Sequence, residues 1–249
     1  MTTLSPETCR VPARHNVHGA ALITYLFRFV QRALRPLGLI LTRDVVMLGR
    51  KRDLNVNQDF ETHDFVRIST LELLSKELNS GHVEGDCAEV GVYKGDFASV
   101  INRYFPARRL YLFDTFTGFD ARDLAVDKAK GLVNIDADFS DTSVQKVLKK
   151  MAHPANCIVK AGYFPATAEG VSGKFCFVSL DTDLYEPTIA GLRFFYERLA
   201  PGGAIFVHDY NNVNYGGIQQ AVAEFSRETG VHFLPMSDRC GTAIFFKSQ

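Results

Sequence analysis

From residue 85 onward the chain alternates short apolar runs with longer amphipathic ones, and no other feature constrains its fold as tightly. "DCAEVGV", "RLYLFDT", "CIVKAG", "KFCFVSLD" and "AIFVHDY" have the length and the β-branched or aromatic content of buried strands. Between them, "DFASVINRYF", "TSVQKVLKKMA", "TIAGLRFFYERLA" and "GGIQQAVAEFSRETG" carry apolar residues at helical spacing, the third closed by Pro201, Gly202 and Gly203. Neighbouring strands joined through helices run parallel, because only a crossover returns the chain to its starting edge. The expectation is an α/β fold, a mostly parallel sheet with helices on both faces. "VHFLPMS" and "GTAIFFKS" follow too closely for a crossover and predict an antiparallel hairpin at the sheet edge.

The first 60 residues break this pattern. They are polar to about residue 18, then apolar in "AALITYLF", then charged and amide-rich in "GRKRDLNVNQDFETHD". Residues 20–34, with Arg28 and Arg32 among apolar neighbours, read as an amphipathic packing helix; a membrane-surface or dimerisation helix is the alternative. The chain therefore divides into an N-terminal helical appendage or lid, residues 1–64, and a main domain, residues 65–249. The main domain opens on the helix "FVRISTLELLSKELNS", stopped at Gly81. A homo-oligomer, if formed, is expected to use the N-terminal helices. No run reaches the roughly 18–20 apolar residues needed to span a bilayer, and the start does not look like an export signal. Lys+Arg and Asp+Glu are both 28, a balance that disfavours a nucleic-acid partner. The five cysteines are scattered without a CxxC pair, as expected of reduced thiols in a cytoplasmic protein.

An open parallel sheet binds ligands beyond the carboxyl ends of its strands. Glu89, Asp114, Asp181, Asp183, His208 and Asp209 all fall at or just past predicted strand ends. Acids there can cap the following helices, but six polar groups along one edge are better explained by a site. In "AEVGVYKGDFA", Gly91 and Gly95 lie in a strand-to-helix turn and would let the backbone approach a ligand. Their G-x3-G spacing departs from the G-x-G-x-x-G of dinucleotide folds, and Asp96 at the helix start would repel a pyrophosphate. A ligand carrying an ammonium, a carboxylate and a sulfonium suits the turn better. Asp114, 25 residues after Glu89, is placed to accept hydrogen bonds from both hydroxyls of a ribose. Phe116 and Phe119 follow it, either as faces for a nucleoside or as core.

"AEVGVYKGDFA", "LYLFDTFTGFD", "DFSDTS", "KAGYFPAT", "SLDTDLYEPT" and "LAPGGAIFVHDYNN", in this order across roughly residues 65–225, resemble the macrocin O-methyltransferase type of small-molecule and sugar methyltransferases. The resemblance implies a Rossmann-like class I methyltransferase fold that uses S-adenosylmethionine and a divalent cation, Mg²⁺ or Mn²⁺. It also implies, as acceptor, a hydroxyl of a sugar or natural-product intermediate. Carried onto this chain, Glu89, Gly91 and Tyr93 would line the methionine part and Asp114 with Thr115 the ribose, while Asp138, Phe139 and Ser140 would surround the adenine. Asp181 would hold the metal together with the pair His208-Asp209, where the best-known members carry two adjacent aspartates. His208 would be a ligand that shifts preference from Mg²⁺ toward Mn²⁺, Fe²⁺ or Zn²⁺, or else a general base with an ordinary pKa of ~6.5. Asp183 is the candidate for taking the proton of a metal-bound hydroxyl. A nicotinamide-dependent oxidoreductase and a non-catalytic S-adenosylmethionine-binding module stand as alternatives.

Overall fold

The computed structural model describes residues 29–30, 65–135 and 137–248. Nearly all of the expected appendage, with any oligomeric contact through it, lies outside the described residues. The elements in chain order are α1 (Phe65–Ser80), β1 (Asp86–Val90), α2 (Asp96–Tyr104), β2 (Leu110–Asp114), α3 (Ala121–Ala129), α4 (Val144–Lys150) and β3 (Cys157–Ala161). There follow β4 (Phe175–Leu180), α5 (Tyr185–Arg198), β5 (Leu199–Val207), α6 (Gly216–Thr229), β6 (Phe233–Met236) and β7 (Thr242–Phe246). Among the described residues no helix is long and apolar enough to cross a membrane.

The strands form one sheet in the order β3-β2-β1-β4-β5-β7-β6. β1 to β5 pair in parallel, and the closing hairpin joins through β7, antiparallel to β5. After β1 the chain steps outward through β2 and β3; at β4 it returns to the other side of β1. That reversal opens a crevice beyond the carboxyl ends of β1 and β4. One face of the sheet packs Ile68, Phe97, Ile101 and Val147 against Leu112, Phe177 and Phe206. The other packs Ile189, Phe195, Val222 and Phe225 against Phe113, Val178 and Ile205. Buried on both sides, the central strands β1, β2 and β4 have no polar face to show, which is why they read as continuous apolar runs.

The structure departs from the sequence expectations in three places. Helix α5 begins at Tyr185, three residues before the "TIAGL" run, because the Tyr185 N–H finds a buried acceptor in Asp127 Oδ2 at 2.8 Å. Pro187 is tolerated there because first-turn N–H groups have no partner within the helix. Leu199 and Ala200 belong to β5, not to the preceding helix. A shift in register between Phe175 and Phe177 lets the strand absorb Pro201, Gly202 and Gly203. Helix α3 was not foreseen at all. Its buried residues are Asp123 and Asp127, so no apolar stripe announces it.

Candidate active site

A cavity of about 390 Å³ lies across the carboxyl ends of β1, β2, β4 and β5, within the usual size range of small-molecule sites. Three backbone bonds set the height of its floor. The N–H groups of Gly91, Asp181 and His208, each the first residue past its strand, donate to Phe113, Val90 and Leu180 of the neighbouring strands. Just beyond, Tyr93, Phe116, Asp183 and Asp209 all adopt left-handed backbone conformations, φ 47° to 59°. Non-glycine residues there cost of order 1 kcal/mol or more each, and such strain gathers at functional sites.

The wall built from β1 and β2 is held by its backbone. Asp114 Oδ2 accepts from the N–H groups of Val92 (2.7 Å) and Tyr93 (2.9 Å), and Oδ1 from that of Phe116 (2.6 Å). A carboxylate has about four acceptor positions, so room remains for one further donor, not two. Gly91 (φ +82°) and Gly95 (φ +76°) are explained by the protein's own packing. A Cβ at 91 would overlap the Asp181 carbonyl oxygen, and one at 95 would come within 2.8 Å of Val147. Glu89 is 1% exposed, and its Oε2 has no hydrogen-bond partner. Burial, then the charge of Asp181, pushes its pKa well above the carboxylate range against the pull of Arg67.

The wall built from β4 and β5 is a network of side chains. His208 Nδ1 lies 3.0 Å from Asp181 Oδ1 and 2.7 Å from Asp209 Oδ2. Asp209 Oδ1 accepts from Asn212 Nδ2 at 2.6 Å. Arg67, reaching in from α1, donates through Nη1 to Asp181 Oδ2 and through Nη2 to Ser179 Oγ, both at 3.0 Å. A nitrogen facing two carboxylates must carry a proton. Burial and Arg67 depress the His208 pKa, but Asp181 and Asp209 outweigh them and push it up to about 10. Burial alone would raise Asp181; the charges of His208 and Arg67 hold it well below the carboxylate range instead. Asp183 is raised by burial and by the charges of Asp181 and Asp209, the latter also its hydrogen-bond partner.

Of the residues expected at the site, Glu89, Gly91, Tyr93, Asp114, Thr115, Phe139, Asp181, Asp183, His208 and Asp209 border this one cavity. Gly95, Asp138 and Ser140 do not line it; the Asp138 carboxylate closes an exposed turn by accepting the Ser140 N–H at 2.8 Å. Phe139 packs edge-on against Tyr93 and Phe119, each at 5.0 Å. Phe119 thus borders the cavity, whereas Phe116 is core. Of the expected metal set, His208 meets Asp181 and Asp209 directly through Nδ1. The structure groups Asp181, Asp183 and Asp209, and separately His208, Asp209 and Cys240, each with one donor atom per residue mutually within 4.8 Å.

Sequence reading missed Arg67, whose guanidinium lies 3.7 Å from the centre of the Phe97 ring. A signal was present: residues 67, 71, 74 and 78 fall on one helical stripe, so an arginine stood among apolar core positions. Asp120, Asp123 and Tyr163 on the opposite rim were missed as well, Tyr163 donating to Asp123 Oδ1 at 3.2 Å.

A sheet of this order, with its cavity at the β1/β4 reversal, has the class I methyltransferase fold. The O-methyltransferase NovP superposes with a TM-score of 0.58 at 18% identity, over 74% of this chain and 80% of that one. CalS11, a calicheamicin methyltransferase, gives 0.58 at 17% identity over 97% and 99%. Within that class the chain belongs to the Macrocin-O-methyltransferase (TylF) family, whose model matches residues 60–248. It is thereby an S-adenosylmethionine-dependent O-methyltransferase. The 8-demethyl-8-(2,3-dimethoxy-alpha-L-rhamnosyl)-tetracenomycin-C 4'-O-methyltransferase of Streptomyces olivaceus is 24% identical over 198 residues, 73% of this chain and 72% of that protein.

Proposed function

We propose that the protein methylates a hydroxyl of a sugar or sugar-bearing natural product, with a divalent cation held by Asp181 and Asp209. The observation that carries the reading is one cavity with two unlike ends: a backbone-built turn over a buried acid, Glu89, with one unpartnered oxygen, and a crowded group of three aspartates. Glu89 Oε2 fits the ammonium of S-adenosylmethionine. Tyr93, Phe119 and Phe139 fit its adenine, and Asp114 has room for one ribose hydroxyl. The cofactor supplies a methyl group on a sulfonium.

The aspartate group suits a hard cation such as Mg²⁺ or Mn²⁺, since three carboxylates that repel one another converge on one point. A bound cation would supply Lewis acidity that eases deprotonation of the acceptor. Asp183, beside Asp181 and Asp209 in the same cavity, is where that proton comes to rest. His208 braces Asp181 and Asp209 through Nδ1. Asp120, Asp123 and Tyr163 provide acceptors and a phenol for sugar hydroxyls on the far rim. The relative from Streptomyces olivaceus is named for action on a rhamnosyl group, and CalS11 is described as a TDP-rhamnose 3'-O-methyltransferase, which favours a deoxyhexose acceptor. Free cysteines at 87, 157, 176 and 240 fit a cytoplasmic setting.

Calorimetric titration with S-adenosylhomocysteine and NAD, followed by mass spectrometry of rhamnosylated acceptors incubated with S-adenosylmethionine, tests the reading. Binding of S-adenosylhomocysteine alone and a methylated product are expected. NAD binding in its place would sink the proposal, and full turnover after exhaustive chelation would remove the cation from it.

A further inference from the structure

Arg67 is the most heavily buried cation bordering the cavity, at 5% exposure. Its two terminal nitrogens are spent on Asp181 and Ser179, and its plane stacks on Phe97. Nε, in contrast, is buried and its N–H has no partner. A buried donor left unpaired in the protein is costly, and one beside a ligand cavity is an opening for an acceptor. Glu89 lies within electrostatic reach of Arg67 and shows the complementary defect, a buried acceptor oxygen without a donor. One unmatched donor on a cation and one unmatched acceptor on an acid, bordering one cavity, match the two ends of an α-amino-acid zwitterion. Fixing two nitrogens elsewhere holds the guanidinium plane still, so its Nε–H is presented without further loss of side-chain freedom.

We infer that Arg67 binds the carboxylate of the cofactor's amino-acid end, opposite Glu89 at its ammonium, so that α1 reads the methionine part of the ligand. The inference rests on the methyltransferase reading above. It makes Arg67 a specificity residue that separates the intact cofactor from adenosyl thioethers lacking the carboxylate. Through Nη1 the same side chain steadies Asp181, so one guanidinium ties cofactor recognition to the aspartate group.

The test pairs a change in the protein with a change in the ligand. Affinities for S-adenosylhomocysteine, its decarboxylated analogue and 5′-methylthioadenosine are measured by calorimetry for the wild type, Arg67→Ala and Arg67→Lys. The wild type should prefer S-adenosylhomocysteine over the decarboxylated analogue by about 10- to 100-fold, the range of a charge-assisted hydrogen bond. Arg67→Ala should lose most of that preference, while its affinity for 5′-methylthioadenosine stays within about threefold of wild type. Arg67→Lys, which keeps the charge but not the fork, should fall between them. Equal weakening of all three ligands would show that Arg67 only holds Asp181 and Ser179, and would overturn the assignment. A wild type indifferent to the carboxylate would overturn it too, even if no variant folds. Failure of the wild type to bind S-adenosylhomocysteine at all would instead bring down the methyltransferase reading, and this inference with it.

Discussion

The two walls of the cavity use the same device for different ends. Each places a polar residue at or just past the end of a parallel strand, with a left-handed residue one or two positions on. On the β1/β2 wall the carboxylate of Asp114 is consumed by three backbone N–H groups, so its charge is spent on holding turns in place. On the β4/β5 wall the carboxylates of Asp181, Asp183 and Asp209 face one another, an imidazole and a guanidinium, and the backbone takes almost no part. An acid whose oxygens meet backbone donors gives shape. An acid crowded by other acids is left with reactivity, because its protonation responds to whatever enters. The contrast says where to look for binding and where for chemistry.

The largest expected effect is on the reactive wall. Asp183→Asn keeps the side-chain shape but removes the proton acceptor, and kcat should fall by ~10²–10⁴ with S-adenosylhomocysteine affinity within about threefold of wild type. A rate within tenfold of wild type would shift the base elsewhere and blur the contrast.

Asp114→Ala attacks the other wall. Losing one acceptor for three N–H groups should cost roughly 2–4 kcal/mol in denaturant unfolding and weaken cofactor binding as well. Asp114→Asn, keeping one acceptor oxygen, should lose less than half of that. If Asp114→Ala unfolds within 0.5 kcal/mol (about the scatter of surface changes) of wild type, the β1/β2 wall is not built as described.

His208 sharpens the comparison through pH. Its folded pKa of about 10 lies above the unfolded ~6.5, so between those values the native state keeps a proton that the unfolded state has lost. The stabilisation is therefore complete below pH ~6.5 and is lost as the pH rises toward 10. In chelator, wild type minus His208→Gln stability should decline by of order 1 kcal/mol or more across that window. A flat difference would mean that the imidazole is neutral and does not brace the two aspartates. The smallest effect belongs to Asp138→Ala. Its exposed turn lies outside the cavity lining, so S-adenosylhomocysteine affinity should change by less than about threefold; a tenfold loss would extend the adenine site to that turn.

The sequence by itself determined the sheet. All seven strands were legible as short apolar runs, the central ones because their side chains have nowhere to go but a core, and apolar periodicity is a local property. It also marked which residues end those strands, and so the edge where Glu89, Asp114, Asp181, Asp183, His208 and Asp209 meet. Helix α3 escaped notice because it buries aspartates instead of leucines, and the start of α5 because its cap comes from Asp127, 58 residues earlier. Division of labour within the site was equally hidden. That His208 bridges two carboxylates, that Asp114 is taken up by the turn of β1, and that Arg67 crosses from α1 to Asp181 are long-range facts. Each depends on which strands are neighbours and in what register. Charge, desolvation and hydrogen-bond supply are set by whatever surrounds a group in space, so only the tertiary structure could decide which of several equivalent acids would hold the fold and which would be left to react.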